Sequence, residues 1–441
     1  MEDPKISSIT SREVLDSKGR PMVEVDVWST NGSMGRGASP CGTSVGSHEA
    51  FVLRDRGERF GGLGVQNAVR NVTETIAPAL IGRSVREQRT IDDLMVELDG
   101  TPNKCRLGAN AIYSVSVAVA RAAANSLGLP LYRYLGDAEA NTFTLPIPTF
   151  NMINGGVYGD RSIEFQEFLL APTVAQSYSD ALRMSVEVSY ELNVVIRKRY
   201  GQKCLHTGHS AGYAAPVNEP AEIIEILLAA TEETGYGGMF KVGLDCAASH
   251  FFDSKQECYN FRGEKISRDE MIQFLDDLGK SYPIFMIEDP LDEEDFKGFA
   301  EITKRMNVLI SGDDLFVTNI ERLKMGIRSG AANAIVLKPN MVGTISEALD
   351  TAYWAKKHGY LLIPSIRSGG GVNDPIPDIA VAVAAPLMKC GAPRSGERTA
   401  CHNRLLRIEE ELKESAQFPS FEILEDRVGN DHSGWSLRTG R

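Results

Sequence analysis

Six short runs decide how this chain is read: FKVGLD (240–245), IFMIED (284–289), VLISGDD (308–314), AIVLK (334–338), YLLIPSIR (360–367) and PLMK (386–389). Each is an apolar stretch that meets a charged side chain at its end, and helical spacing of apolar residues fills the intervals between them. The terminal charges are Asp245, Glu288, Asp313, Lys338, Arg367 and Lys389, separated by 43, 25, 25, 29 and 22 residues. A strand-plus-helix unit of a parallel barrel takes about 30 residues, so the spacing predicts consecutive βα units. The long first interval holds an insertion, residues 250–263, with strand-like and turn-like composition. In a (β/α)₈ barrel the carboxyl ends of the strands open on one face, where active sites form. One charge at a strand end is ordinary; six in succession predict a common cavity.

Toward the amino terminus the pattern changes. MVEVDVWS (22–29) alternates apolar and polar residues as a half-buried strand does, and Asn31-Gly32 after it signals a hairpin. Helical segments are expected over 65–81 and, in an Ala-rich stretch, over 109–127. Leu145-Pro146-Ile147-Pro148 reads as a boundary. The expected fold class is α/β: a small α+β domain over residues 1–142, followed by an α/β barrel over 143–441.

Hydrophobic residues at 42% and charged residues at 24% describe a globular chain, not a disordered one. An excess of 59 acidic over 47 basic side chains, a net charge of −12, repels nucleic-acid phosphates and anionic membranes, so neither is an expected partner. The opening MEDPKISSIT lacks a signal-peptide core, and no run is long and apolar enough to span a bilayer. Seven cysteines (41, 105, 204, 246, 258, 390, 401) without a C-x-x-C pair read as thiols of a reducing compartment. A cytoplasmic location is expected.

Asp245, Glu288 and Asp313 are hard oxygen donors on three consecutive strands, the set that Mg²⁺ takes when water or substrate completes its shell. The neighbouring Asp289, Asp292, Glu293, Glu294 and Asp295 read as a solvated loop and helix start, and Asp314 as a supporting or capping residue. Lys338 and Lys389 end apolar strands beside the expected cation. Desolvation and like charge should lower their pKa values and make them usable bases. Together these groups suggest removal of a proton α to a carboxylate, with a metal to stabilise the product anion.

Longer motifs carry a resemblance. SREVLDSKGRPMVEVDV (11–27), LDGTPNKCRLGANAI (98–112), FNMINGG (150–156), FQEFLLAPT (165–173), GLDCAAS (243–249), IEDP (287–290), SGDDLFVTN (311–319), LKPNMVGTISEA (337–348) and GAPRSGERTACHNRLLRIEEEL (391–412) resemble the enolase (phosphopyruvate hydratase) family nearly end to end. A lysine base working with magnesium is the arrangement of that superfamily. The resemblance implies a β₃α₄-type amino-terminal domain, a β₂α₂(βα)₆ barrel and a homodimer. It implies that Asp245, Glu288 and Asp313 hold the tighter Mg²⁺ and that Lys338 takes the C2 proton of 2-phosphoglycerate. Lys389 would contact the substrate carboxylate side, and Glu167 would belong to the pair handling the leaving hydroxide. Ser365, Arg367 and Ser368 would bind substrate, the latter two its phosphate. Ser44, in the loop CGTSVG, would close over the site and bind a second Mg²⁺. Arg12 with Glu397, and Glu24 with Arg407, match subunit contacts.

Departures from the family pattern fall on functional positions. A serine-histidine pair reads Val157-Tyr158; a GDEGG loop reads Gly208-His209-Ser210-Ala211-Gly212; an SHRSGE segment reads Ser365-Ile366-Arg367-Ser368-Gly369-Gly370; Cys41 and Thr43 replace serine and alanine. Tyr158, Ser210 and Ile366 thus stand in place of two histidines and the glutamate that acts as general acid. Loss of a general acid costs about 10²–10⁴ in rate, and Ile366 is expected to set an apolar side chain against the phosphate. His206 and His209 are either substitute acids or exposed loop residues. Three readings follow: an impaired or inactive Mg²⁺-binding scaffold, including a heterodimer partner of an active enolase; an active variant of the glycolytic enzyme; or a non-catalytic binding module. The tail beyond Leu412 is expected to be flexible or packed on the surface.

Overall fold

Alternation between residues 21 and 29 builds the first sheet. In the computed structural model, which describes residues 3–159, 163–202 and 205–429, strands β1 (Ile6–Leu15), β2 (Pro21–Ser29) and β3 (Met34–Ala38) pair antiparallel in that order. Val23, Val25 and Val27 lose all exposure in a cluster shared with helix α1 (Ala109–Ser126). That helix lies directly on β3 because Gly35 and Gly37 have no side chain. A Cβ on either would come within 2.0 Å of Ala118 O or 2.2 Å of Ser114 O. On the opposite face Arg12 meets Glu24 at 2.7 Å and Asp26 at 2.6 Å. Arg12 and Glu24 are direct cross-strand partners, so within one chain these two candidate subunit-contact residues satisfy each other. The helix expected over 65–81 runs from Gln66 to Leu80, with one π-type turn at Val72–Ile76.

Eight strands close the barrel: β4 (Ile147–Asn154), β5 (Glu167–Pro172), β6 (Phe240–Asp245), β7 (Ile284–Glu288), β8 (Leu309–Gly312), β9 (Ala334–Leu337), β10 (Leu361–Pro364) and β11 (Leu387–Gly391). β5 is antiparallel to both β4 and β6; the other neighbours are parallel. A backbone bridge between Ser365 and Lys389 joins the end of β10 to β11. Helices Tyr178–Tyr200 and Pro220–Glu233 fill the interval between β5 and β6, which gives the ββαα(βα)₆ order. Residues 250–263 contribute to a separate three-stranded sheet, Phe252–Asp253, Cys258–Phe261 and Glu264–Ile266.

Inward-facing residues at the strand starts, among them Ile147, Phe285, Leu309, Leu361 and Leu387, pack with Phe421 and Leu424. The Phe285 and Phe421 rings meet edge to face at 5.2 Å. The described part of the tail therefore plugs the end of the barrel opposite the charged one. Residues 430–441, the remainder of that expectation, lie outside the described residues, as does Cys204; the six other cysteines are free thiols. Among the described residues no helix is long and apolar enough to cross a membrane.

Candidate active site

Register alone brings the first charges together. Asp245 stands directly beside Glu288 on one side and Glu167 on the other. Because β5 runs antiparallel, its first residue, Glu167, lies at the same end of the barrel as the last residues of β6 and β7. Lys389 reaches from β11 into this group, its Nζ 2.6 Å from Glu288 Oε2 and 3.1 Å from both Asp245 Oδ2 and Glu167 Oε2. Asn151 Nδ2 donates to the other Glu167 oxygen at 2.7 Å. Beyond β8 and β9, Lys338 Nζ donates to Asp313 Oδ2. All seven of these side chains are buried.

The electrostatics differ from the sequence expectation. Burial is the largest influence on both lysines and works against their charged forms, but Asp313 and Tyr158 together outweigh it at Lys338, and Asp245, Glu288 and Glu167 together outweigh it at Lys389. Both pKa values are raised, not lowered, because the carboxylates lie at contact distance while like charges lie farther away. Burial pushes Asp245 and Glu288 up, and one ammonium cannot neutralise three surrounding carboxylates. Asp313 is held down: burial would raise it, and Lys338 with Lys389 overcomes that.

Two buried oxygens, Glu288 Oε1 and Asp313 Oδ1, have no hydrogen-bond partner. Orphaned hard donors of this kind cost free energy unless a cation or a proton meets them, so the donor set fits Mg²⁺. Among the described residues, Asp289, Asp313 and Asp314 converge, with ligand-capable oxygens within 4.8 Å of one another. Asp245 and Glu288 are drawn instead onto Lys389. Asp289 is not a solvated loop residue: it is buried, and its carboxylate accepts the backbone N–H of Asp313 at 3.0 Å and of Asp314 at 2.8 Å. Burial moves its pKa up to about 8. Glu293 is likewise buried and holds Ser47, whereas Asp295 does cap the following helix through Gly298 N at 2.8 Å.

The loop containing Ser44 lies down over this cavity. Arg367 donates to Glu49 through both terminal nitrogens, at 2.5 and 2.6 Å, and to Ser44 O at 2.9 Å. A Cβ at Gly42 would fall 2.5 Å from that guanidinium. The Ser44 hydroxyl lies 3.1 Å from the Tyr158 hydroxyl, not against the carboxylates. Ser365, Ser368 and Ser210 are buried in the surrounding turns. Ile366 corrects an expectation. The alternation of β10 continues past its end, so this side chain joins the apolar layer that also takes Leu362, while Leu361 and Ile363 face the barrel interior.

At the rim, Lys18 Nζ lies 2.7 Å from Thr43 Oγ1, 2.7 Å from His209 Nδ1 and 2.5 Å from Ser368 Oγ. The His209 ring stacks on Tyr158 at 6.2 Å and 11°. Burial, then the charges of Lys18 and Arg20, lower the His209 pKa; this imidazole accepts from Lys18 and is a poor proton donor. His206 is exposed. Sequence reading missed Lys18, Glu49 and Asn151. None ends a barrel strand, and only the charge of the first two distinguished them.

The comparisons agree with this geometry. The description "Enolase, C-terminal TIM barrel domain" matches residues 142–426, and "Enolase, N-terminal domain" matches residues 6–135. A curated relative named Enolase from Thermococcus gammatolerans is 48% identical over 424 residues, covering 95% of this chain and 98% of its own. Enolases from Methanopyrus kandleri and Pyrococcus furiosus are each 49% identical, over 94% of this chain and 98% and 96% of theirs. A cavity of paired carboxylates and lysines at the strand ends, on a ββαα(βα)₆ barrel behind a small three-stranded domain, thus coincides with two family matches spanning nearly the whole sequence, and the chain belongs to the enolase family.

Proposed function

We propose that this enolase-family chain binds a small phosphorylated carboxylate of the 2-phosphoglycerate or phosphoenolpyruvate type, with Mg²⁺, in the strand-end cavity, and that its dehydration of 2-phosphoglycerate is strongly impaired. The observation that supports impairment is the state of the candidate acids. Ser210 stands where the family places a glutamate, and His209 next to it has its Nδ1 turned to the Lys18 ammonium. Serine cannot deliver a proton near neutral pH, and a second positive charge on His209 is opposed by the first. Tyr158 is no replacement, since burial raises its phenol pKa.

In this reading Asp245, Glu288 and Asp313 hold the tighter Mg²⁺, and Ser44 serves a second once its bond to Tyr158 is exchanged. Mg²⁺ bound there supplies a compact positive charge beside the substrate carboxylate. Lys338 accepts the C2 proton only when Asp313 no longer keeps its own proton in place. Lys389 and Glu167 orient the carboxylate side, and Ser365, Arg367 and Ser368 take the anionic oxygens. The homodimer of the family belongs to the same reading, as does the division at residue 142.

Purified protein with 2-phosphoglycerate and Mg²⁺, followed by phosphoenolpyruvate absorbance, tests it. Turnover is expected about 10²–10⁴ below that of an ordinary member carrying the glutamate. A rate within about tenfold of such an enzyme establishes the active-variant reading instead.

A further inference from the structure

The cations at the anion-binding end of the cavity are not equivalent. Arg367 spends both terminal nitrogens on Glu49, an ideal fork geometry that leaves the pair neutral. Lys18 makes no ion pair among the described residues; its three donors go to a threonine, a serine and an imidazole. Asp16, two residues away, is taken by Arg20 at 2.9 Å and by the backbone N–H of Lys18 and Arg20. Glu397 lies in the same region but faces Ser395 at 2.6 Å and Arg398 at 3.5 Å. Burial, reinforced by Arg20 and Arg398, lowers the Lys18 pKa to about 7. Lys18 and His209 also line a cavity of about 540 Å³ that is open to solvent, with Thr207, Ser395 and Glu397 on its walls and Ser368 outside it.

We propose that Lys18 binds the ligand's phosphoryl group beside Ser368, adding a cation that no carboxylate pairs among the described residues to the contribution of Arg367, whose charge is shared with Glu49. An oxyanion at Ser368 Oγ would be within reach of Lys18 Nζ, since those two atoms already touch. The anion would bring the counter-charge that this half-buried amine lacks, and His209 and Thr43 would keep the amine aimed. The inference rests on the phosphorylated-carboxylate reading above and adds a residue from the amino-terminal domain to that site.

Calorimetric titration of the full-length protein in Mg²⁺ with 2-phosphoglycerate, and with glycerate as the analogue lacking the phosphoryl group, tests it. Lys18→Met should weaken 2-phosphoglycerate binding by about tenfold or more and leave glycerate binding unchanged. Lys18→Arg should retain affinity to within about threefold, and His209→Asp, which sets a carboxylate against the amine, should reproduce the loss. If unaltered protein binds 2-phosphoglycerate and Lys18→Met binds it equally well, this inference falls and the ligand reading stands. If unaltered protein does not bind it, the ligand reading itself falls. Should Lys18→Met not fold, equal affinities of Lys18→Arg and His209→Asp overturn the proposal.

Discussion

At the floor of the cavity every lysine faces carboxylates, whereas at the rim Lys18 bonds only neutral groups among the described residues. Lys389 sits among Glu167, Asp245 and Glu288, and Lys338 is tied to Asp313; Lys18 has Thr43, His209 and Ser368. The floor is thus an acid-rich cluster in which added cations are welcome, and the rim is a cation in want of an anion. Such a division would orient the proposed ligand, with its metal-binding carboxylate at one end and its phosphoryl group at the other. Thr43, Tyr158 and His209, three of the positions that the resemblance reads as departures, gather around Lys18.

The sharpest way to break the comparison is to remove the floor's central cation. Lys389→Ala leaves three buried carboxylates facing one another, and loss of one partner of a buried ion cluster costs about 3–5 kcal/mol. Urea unfolding of the metal-free protein at neutral pH measures it. A change under about 1 kcal/mol would mean that these carboxylates are already protonated or hydrated and that the floor is not held by charge.

Metal addition is the next test in size. If the unpartnered Glu288 and Asp313 oxygens receive a divalent cation, Mg²⁺ at about a hundred times its dissociation constant should stabilise the fold by about 2–3 kcal/mol. Asp313→Asn should abolish the effect, while Thr43→Ala on the rim should not. Equal stabilisation of all three proteins would move the cation away from the strand ends.

How legible each region was in the sequence follows from how it is built. The floor is periodic: each βα unit delivers one side chain to the same end of the barrel, so Asp245, Glu288, Asp313, Lys338 and Lys389 announce themselves by spacing. The same logic failed where local backbone geometry overrides composition. Asp289 belongs to a run of acids that looks solvated, yet a turn with φ of +42° folds its carboxylate under the next strand's end. Ile366 follows the two-residue period of its strand and so packs outward. The lysine pKa values depend on distances, which spacing does not supply. The rim has no such period, because residues 18, 43, 158, 209 and 368 come from five loops. The resemblance points to all of these but Lys18, which only the fold brings among them.

The smallest predicted effect concerns pH and the rim alone. An amine titrating at about 7 in the folded chain and at about 10.4 when unfolded binds fewer protons folded than unfolded across that interval. Stability should therefore rise as pH increases from about 7 toward 10, with the full cost of burying the ammonium present below about 7. Lys18→Met removes that contribution. The lost hydrogen bonds lower its stability by a roughly constant amount, so the variant should compare best with the parent in acid-to-neutral buffer and worst near pH 10. Urea midpoints of the two proteins at several pH values read the difference directly. Parallel profiles would show that Lys18 is already compensated, and the contrast between a paired floor and an unpaired rim would then reduce to one of location.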